Sequence, residues 1–290
     1  MFKIIIKIFN HPLNKKARMA AIVRFFKWQI FSRLFKYPVI LPFTNNSRYM
    51  FWNGLTGLTG NWYYGLMEME EMAFAAHFLR SDDVFYDVGA NVGAYSILTS
   101  QHCNCRVYCF EPHPLTFKFL MQNIKIQDNP NLINAYNFAL GANNEIVNFT
   151  STLDTVNHVS VDELETSIRV EVKVLDYLSL PTPTLIKIDV EGFESSVLQG
   201  AENVLMSSSL KAIIIELNGS GLKYGYYDSD IHEKLLSYGF LPYAFNPFKR
   251  KLIQLDTYSN HNTIYLRDYN FCADRLNSAG GLKLSNGVVL

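Results

Sequence analysis

Three observations predict an α/β fold with a parallel sheet covered by helices on both faces. From Val84 onward, short β-branched and aromatic runs alternate with helical stretches, the rhythm of successive βαβ units. One of those runs, Val84–Val88, passes through a turn holding Gly89 and Gly93 into a helical stretch, and open α/β sheets bind ligands at such turns. The composition, 49% hydrophobic and 18% charged over 290 residues, suits a packed core with room for one large α/β domain and an extension.

The elements follow in order. Lys15–Lys36 reads as a helix with few breakers, stopped by Pro38. Asn45–Asn61, rich in Gly, Asn and Thr, reads as a loop, and Glu68–Arg80 as a second helix. Strands are expected at Val84–Val88, Arg106–Phe110, Leu132–Phe138, Leu185–Ile188 and Ala212–Leu217. Helices fill the gaps at Tyr95–Gln101, Leu115–Ile126 and Ser195–Met206. Asp230–Tyr238 is a further helix, and Leu241–Phe245 and Thr263–Leu266 are two closing strands. The last ten residues show no periodic pattern and are expected to fray. The chain thus divides into a basic, partly helical extension (1–67), a catalytic-sized domain (68–270) and a tail (271–290).

The formal net charge is zero, which gives no electrostatic case for a nucleic-acid partner, and no basic groove interleaves with the many aromatic residues. The distribution of charge is uneven. No Asp or Glu precedes Glu68, whereas Lys3, Lys7, Lys15, Lys16, Arg18, Arg24, Lys27, Arg33, Lys36 and Arg48 do. Such an arm implies either an anionic partner, such as lipid headgroups meeting residues 1–50, or a solvated cationic packing arm. Within Lys15–Lys36 the cations fall on several sides of the helix at about 100° per residue, a weak signal for an amphipathic anchor. No apolar run approaches the ~20 residues of a membrane span. Met1–Asn10 is interrupted by Lys7 and no cleavage site follows it, so it reads poorly as a signal peptide. Cys103, Cys105, Cys109 and Cys272 do not form a secreted disulfide framework. A cytoplasmic location is expected, with the arm able to lie on the inner face of a membrane. His102-Cys-Asn-Cys105 with Cys109 looks like part of a zinc site but lacks a second pair, and no metal is expected.

The turn after Val88 identifies a cofactor class. Its glycines permit a sharp turn and close approach to a ligand. Asp87 stands directly before it. A dinucleotide would present a pyrophosphate here and be repelled, whereas S-adenosylmethionine presents an ammonium and a sulfonium, which a carboxylate attracts. The following strand, Arg106–Phe110, ends at Glu111, an acid placed to accept both ribose hydroxyls. Glu111 serves either cofactor; Asp87 and Asn91 favour the methyl donor.

These residues also resemble a known family. Asp87-Val-Gly-Ala-Asn-Val-Gly93, Phe110-Glu-Pro112, Ala139-Leu-Gly141, Val174-Leu-Asp176 and Ile186-Lys-Ile-Asp-Val-Glu-Gly192 with Glu194 are similar, in order and spacing, to the FkbM family of S-adenosylmethionine-dependent methyltransferases. The resemblance runs from Val84 to Asp268 and leaves out the basic arm. It implies a Rossmann-like class I methyltransferase fold, with a seven-stranded, mostly parallel sheet whose last strand is antiparallel. It implies that Asp87, Gly89, Asn91 and Gly93 hold the methionine part, with Ala90 in the same turn. Glu111, followed by Pro112, would hold the ribose, and the Asn137–Gly141 turn, Ala139 included, would border the adenine. Asp189 would lie near the methyl-bearing end. It also implies O-methylation, commonly of a sugar or polyketide hydroxyl.

An alcohol acceptor must lose its proton, so a base within hydrogen-bond reach would help. Asp189 and Glu191 are the first candidates, since alternation puts them on one side if the strand continues. Alternatively Asp189 binds only the cofactor and Glu191 caps the next helix. With Glu194 they could also gather Mg²⁺, which nothing in the sequence demands. His158, in the polar Ser151–Ser167 stretch, is a third catalytic candidate; His113 is expected at the pocket rim and Glu216 at the same sheet edge. Ser151–Ser167 and the Asn246–Asn262 insert are expected to shape the pocket of a small-molecule or glycan acceptor. Two rival readings share the sheet: a nicotinamide-dependent oxidoreductase, and a non-catalytic module tethered by its basic arm. Asp87 and the lack of a third glycine oppose the first, and the intact acid and glycine set opposes the second. The sequence carries no code for the acceptor or the oligomeric state.

Overall fold

The computed structural model describes residues 2–34, 37–52, 57–151, 157–160 and 166–290. Two helices, α1 (Phe2–Asn10) and α2 (Arg18–Leu34), precede a hairpin of β1 (Val39–Pro42) and β2 (Arg48–Phe51). Next come α3 (Thr59–Tyr64), α4 (Met69–Phe78), β3 (Val84–Val88), α5 (Ala94–Cys103), β4 (Arg106–Phe110), α6 (Pro114–Lys125) and β5 (Ile133–Tyr136). A small side sheet is formed by β6 (Ala139–Leu140), β7 (Glu145–Thr150) and β8 (Ser167–Lys173). The chain continues through β9 (Leu185–Ile188), α7 (Glu194–Gln199), α8 (Glu202–Met206), β10 (Ala212–Glu216) and α9 (Asp228–Ser237). It closes with β11 (Leu241–Asn246), β12 (Lys251–Gln254), β13 (Asn262–Leu266) and α10 (Tyr269–Ser278).

The main sheet has the order β12-β11-β13-β10-β9-β3-β4-β5. Strands β5, β4, β3, β9 and β10 run parallel, and β13 inserts antiparallel between β10 and β11. This is the class I methyltransferase arrangement, with one strand more than the seven expected. The additional strand, β12, comes from the Asn246–Asn262 insert and pairs with β11 as an edge hairpin. The chain leaves β3 toward β4 and later returns on its other side as β9. The β3–β9 boundary is therefore the switch point at which a crevice opens beyond the strand ends.

Alternation along each strand splits the core in two. Phe85, Leu185 and Ile214 join one cluster, while Tyr86, Ile186 and Ile213 join the other. The basic arm belongs to the first cluster. Ala21, Phe25 and Trp28 of α2 and Tyr49 and Phe51 of β2 are buried in it. Asn123 of α6 fastens the hairpin, accepting from the Met50 N–H and donating to the Val92 carbonyl.

Other differences from expectation have local causes. The Asn45–Asn61 loop contains β2 and the start of α3; residues 53–56 lie outside the described residues. The Ser195–Met206 helix is two helices, broken at Gly200, whose α-carbon packs so closely that a side chain there would meet the Gly141 carbonyl oxygen at 2.0 Å. α10 crosses the boundary drawn at residue 270, and the tail beyond it does not hang free. Leu282 and Leu290 exchange backbone hydrogen bonds, Leu284 bridges Thr44, and all three leucines are buried. Leu282→Ala is therefore expected to cost about 2–5 kcal/mol in a urea titration. An unchanged midpoint would show that the tail is not part of the core.

Candidate active site

The site begins with strand register. Asp87 of β3 and Lys187 of β9 are cross-strand neighbours, and Lys187 also pairs with Ile214 of β10. Alternation puts Asp87, Lys187 and Glu216 on one face of the sheet. Lys187 is only 3% exposed, in a strand otherwise made of Leu and Ile. An ammonium so placed must be paired. Its Nζ lies 2.7 Å from Asp189 Oδ2 and 4.8 Å from the centre of the Tyr95 ring. Burial lowers its pKa, but the carboxylates of Asp189, Glu68 and Asp87 outweigh burial and raise it. Tyr95 in turn donates to Glu68 at 2.6 Å. Asp87 Oδ2 accepts from the Ser96 N–H at 3.0 Å and hydroxyl at 2.6 Å, which fixes the first turn of α5. Burial raises the Asp87 pKa against the opposing pull of Lys187 and Ser96.

Beyond the strands, two turns meet. Gly89 has φ +82°, and a β-carbon on it would stand 1.8 Å from the Asp189 carbonyl oxygen. Only glycine fits on both counts. The Gly89 and Ala90 N–H groups both donate to the Phe110 carbonyl. Asn91 also takes a left-handed conformation, which asparagine tolerates, and its side chain accepts from the Val92 N–H. Its own N–H donates to Glu111 Oε2 at 3.0 Å, while the His113 N–H donates to Oε1 at 2.8 Å. Burial pushes the Glu111 carboxyl up to about 7, against those two donors.

Two cavities share this junction. The first has apolar walls from Phe110, Pro112, Ala139, Leu140, Phe149, Val190 and Phe193, with Glu111, Asp189 and Glu191 as its acids. The second, about 460 Å³, is lined by Glu68, Asp87, Ala90, Tyr95, Lys187 and Glu216, with Ile4, Tyr63 and Tyr64 of the arm. Gly89, Asn91, Asp189 and Glu191 line both. The carboxylate oxygens of Asp189, Glu191 and Glu216 lie within 4.8 Å of one another, the set among the described residues able to hold a cation. Burial and the charge of Asp189 push Glu191 up to about 7. Burial and the carboxylates of Asp189 and Glu191 push Glu216, which hydrogen-bonds Asp189, up to about 8.

β9 ends at Ile188, so strand alternation does not juxtapose Asp189 and Glu191. A left-handed turn does: Glu191 has φ +55° and Gly192 φ +104°. Glu191 does not cap α7, whose N-terminus has no side-chain cap; Glu194 Oε1 instead accepts from the Val190 and Gly192 N–H groups of the turn before it. Glu194 is therefore tied into the turn, and Glu216 takes its expected place beside Asp189 and Glu191. Gly93 lines neither cavity; it starts α5 with φ +94°, packed where a β-carbon would meet Leu120 at 2.7 Å. His158 lines neither cavity, although Asn157 and Val159 on either side line the first. Residues 152–156 and 161–165 of the Ser151–Ser167 stretch lie outside the described residues. His113 caps α6, its ring accepting from the Thr116 N–H. Cys105 and Cys109 are buried thiols in the core. Sequence reasoning missed Lys187, Tyr95 and Glu68; the readable signal was a lysine inside an apolar strand.

Residues 87–242 match the FkbM methyltransferase domain family. The hexuronic acid methyltransferase AglP of Haloferax volcanii is 30% identical over 143 residues, 48% of this chain and 57% of AglP, so the match spans little more than half of that relative. Among solved structures, an FkbM methyltransferase from Methylobacillus flagellatus aligns with 17% identity and a TM-score of 0.44, over 65% of this chain and 44% of that one. A precorrin-6y C5,15-methyltransferase from Geobacter metallireducens aligns with 15% identity and a TM-score of 0.41, over 69% and 87%.

The raised carboxyls give a stability test. Glu111, Glu191, Glu194 and Glu216 keep protons in the folded chain that they lose near 4.5 when unfolded. These carboxyls therefore weaken folding as pH rises toward about 8, while the buried His11 and His77, lowered to about 4, act in the opposite sense below about 6.5. The melting temperature of the unliganded protein is expected to fall between about pH 6.5 and about pH 8, where only the carboxyls still titrate. Glu216→Gln, which cannot ionise, is expected to flatten the fall and melt higher at about pH 8; identical pH profiles would refute the cluster's assignment.

Proposed function

The chain belongs to the FkbM methyltransferase family, and we propose that it transfers a methyl group from S-adenosylmethionine to a hydroxyl of a sugar, glycan or other small molecule. The observation that carries this reading is the meeting of two unlike cavities at Gly89, Asn91, Asp189 and Glu191. The first suits an adenosine: Phe110, Leu140, Phe149 and Val190 supply apolar walls, and Glu111, oriented by two backbone donors, would accept the ribose hydroxyls. The second suits the charged end of the same molecule, because Asp87, Asp189 and Glu216 would face its ammonium and sulfonium. The chain's match to a relative named for a hexuronic acid supports a sugar acceptor.

When bound, S-adenosylmethionine supplies an electrophilic methyl group on a positively charged sulfur. The chain's task is to align the acceptor, exclude water and remove one proton. Glu191 is the residue we assign to that proton. It lines both cavities, and a carboxyl held near 7 is matched to neutral pH. Asp189 is fixed by Lys187 and Glu216 and would orient the acceptor and the cofactor's methyl end. His158 lines neither cavity, so we give the proton to Glu191 rather than to it.

Calorimetric titration is expected to show saturable binding of S-adenosylmethionine and S-adenosylhomocysteine but not of NAD⁺. Binding of NAD⁺ alone would replace this reading with an oxidoreductase. Glu111→Ala should weaken S-adenosylmethionine at least about tenfold by removing the ribose acceptor. Glu191→Gln should leave that affinity within about threefold and slow turnover of an identified acceptor by about a hundredfold or more. Unchanged turnover would remove Glu191 from the chemistry.

A further inference from the structure

The arm carries a surface that the reaction does not use. Eleven of the twenty-four exposed large apolar side chains among the described residues lie between Phe2 and Ile40. On α2 they form a line: Met19, Val23, Phe26, Ile30 and Leu34. At about 100° per residue these five share an arc of roughly 80°, directly opposite the buried Ala21, Phe25 and Trp28. The helix is thus apolar on two opposite faces, and the two cancel in any measure of one-sidedness. This is why its sequence gives a weak amphipathic signal. Lys27 and Arg33 flank the outer stripe at about 60° to either side of its centre. On α1, packed beside it, Phe2 and Ile6 are exposed together with Lys3 and Lys7.

Charge selects the occupant of this surface. The stripe is bordered by cations, and no acid occurs before Glu68 to balance them. A second copy of the chain would set one such arm against another, cation against cation. A bilayer with anionic headgroups offers an apolar layer for the stripe and negative charge for its borders. Among the described residues no helix is long and apolar enough to cross a membrane. We infer that α1 and α2 dock the protein flat on an anionic lipid surface through the Met19–Leu34 stripe and its flanking cations. Ile4 of α1 also lines the second cavity, so the docking helices border the site itself.

The test is co-sedimentation of the full chain with vesicles of phosphatidylcholine alone and of phosphatidylcholine mixed with phosphatidylglycerol. Pelleting is expected with the mixed vesicles, to weaken as salt is raised, and to be at least about tenfold weaker with the neutral ones. Ile30 and Leu34 are 57% and 70% exposed and lie outside both cavities, so glutamates there leave the core untouched. Ile30→Glu with Leu34→Glu should lower partitioning at least about tenfold while S-adenosylmethionine affinity and melting temperature stay unchanged. Equal pelleting of this variant and the parent chain, or no pelleting of either, overturns the proposal. So does a dimer in size-exclusion light scattering that the two glutamates disperse, since the surface would then belong to a second copy.

Discussion

A single buried ammonium organises the crevice. Lys187 sits in the middle of a strand whose other residues are Leu and Ile, 3% exposed, and a charge there is tolerable only if countercharges surround it. The register with β3 supplies Asp87 at its side, the end of its own strand supplies Asp189 at 2.7 Å, and Tyr95 relays Glu68 from the segment before α4. Asp87 also holds the first turn of α5, so the strand, the helix and the cofactor-sized turn between them take their places around the same charge. More carboxylates converge on Lys187 than it can neutralise. Burial first, and the neighbouring carboxylates second, raise the pKa values of Glu191 and Glu216 so that they hold protons near neutral pH.

A second constraint fixes where that surplus points. The turns after β3 and β9 touch, with no room for a side chain between the Gly89 α-carbon and the Asp189 carbonyl. They divide the crevice into a chamber with apolar walls and Glu111, and one lined by Glu68, Asp87, Lys187 and Glu216 together with residues of the arm, with Asp189 and Glu191 shared between the two. A ligand reaching across Gly89 would therefore meet apolar walls at one end and negative charge at the other. S-adenosylmethionine has that asymmetry, and NAD⁺, with a pyrophosphate at its centre, does not.

Much of this was legible in the sequence where local chemistry decides the outcome. Asp87, Gly89, Asn91 and Glu111 stand at strand ends and in a turn whose conformation needs particular residue types, and all four reach the crevice. The strands Val84–Val88, Arg106–Phe110 and Leu185–Ile188 fall where their apolar runs do. What depends on distant packing was not legible. Gly93 packs against Leu120, a long-range contact that the turn sequence does not show. Asp189 and Glu191 meet through a left-handed turn rather than through strand alternation. The tail has a two-residue period too short to read, with Leu282 and Leu284 inward and Lys283 between them, and it is held by residues near position 44. The outer stripe of α2 is masked by its inner one.

Carboxyls that hold protons in the empty crevice must release them when a cation binds. Calorimetry at about pH 7 in buffers of different ionisation enthalpy measures that release. S-adenosylmethionine is expected to expel protons into the buffer, and S-adenosylhomocysteine, which lacks the sulfonium charge, to expel fewer. Heats that do not vary with the buffer for either ligand, or equal release by both, would show that the carboxyls do not hold protons for a cation.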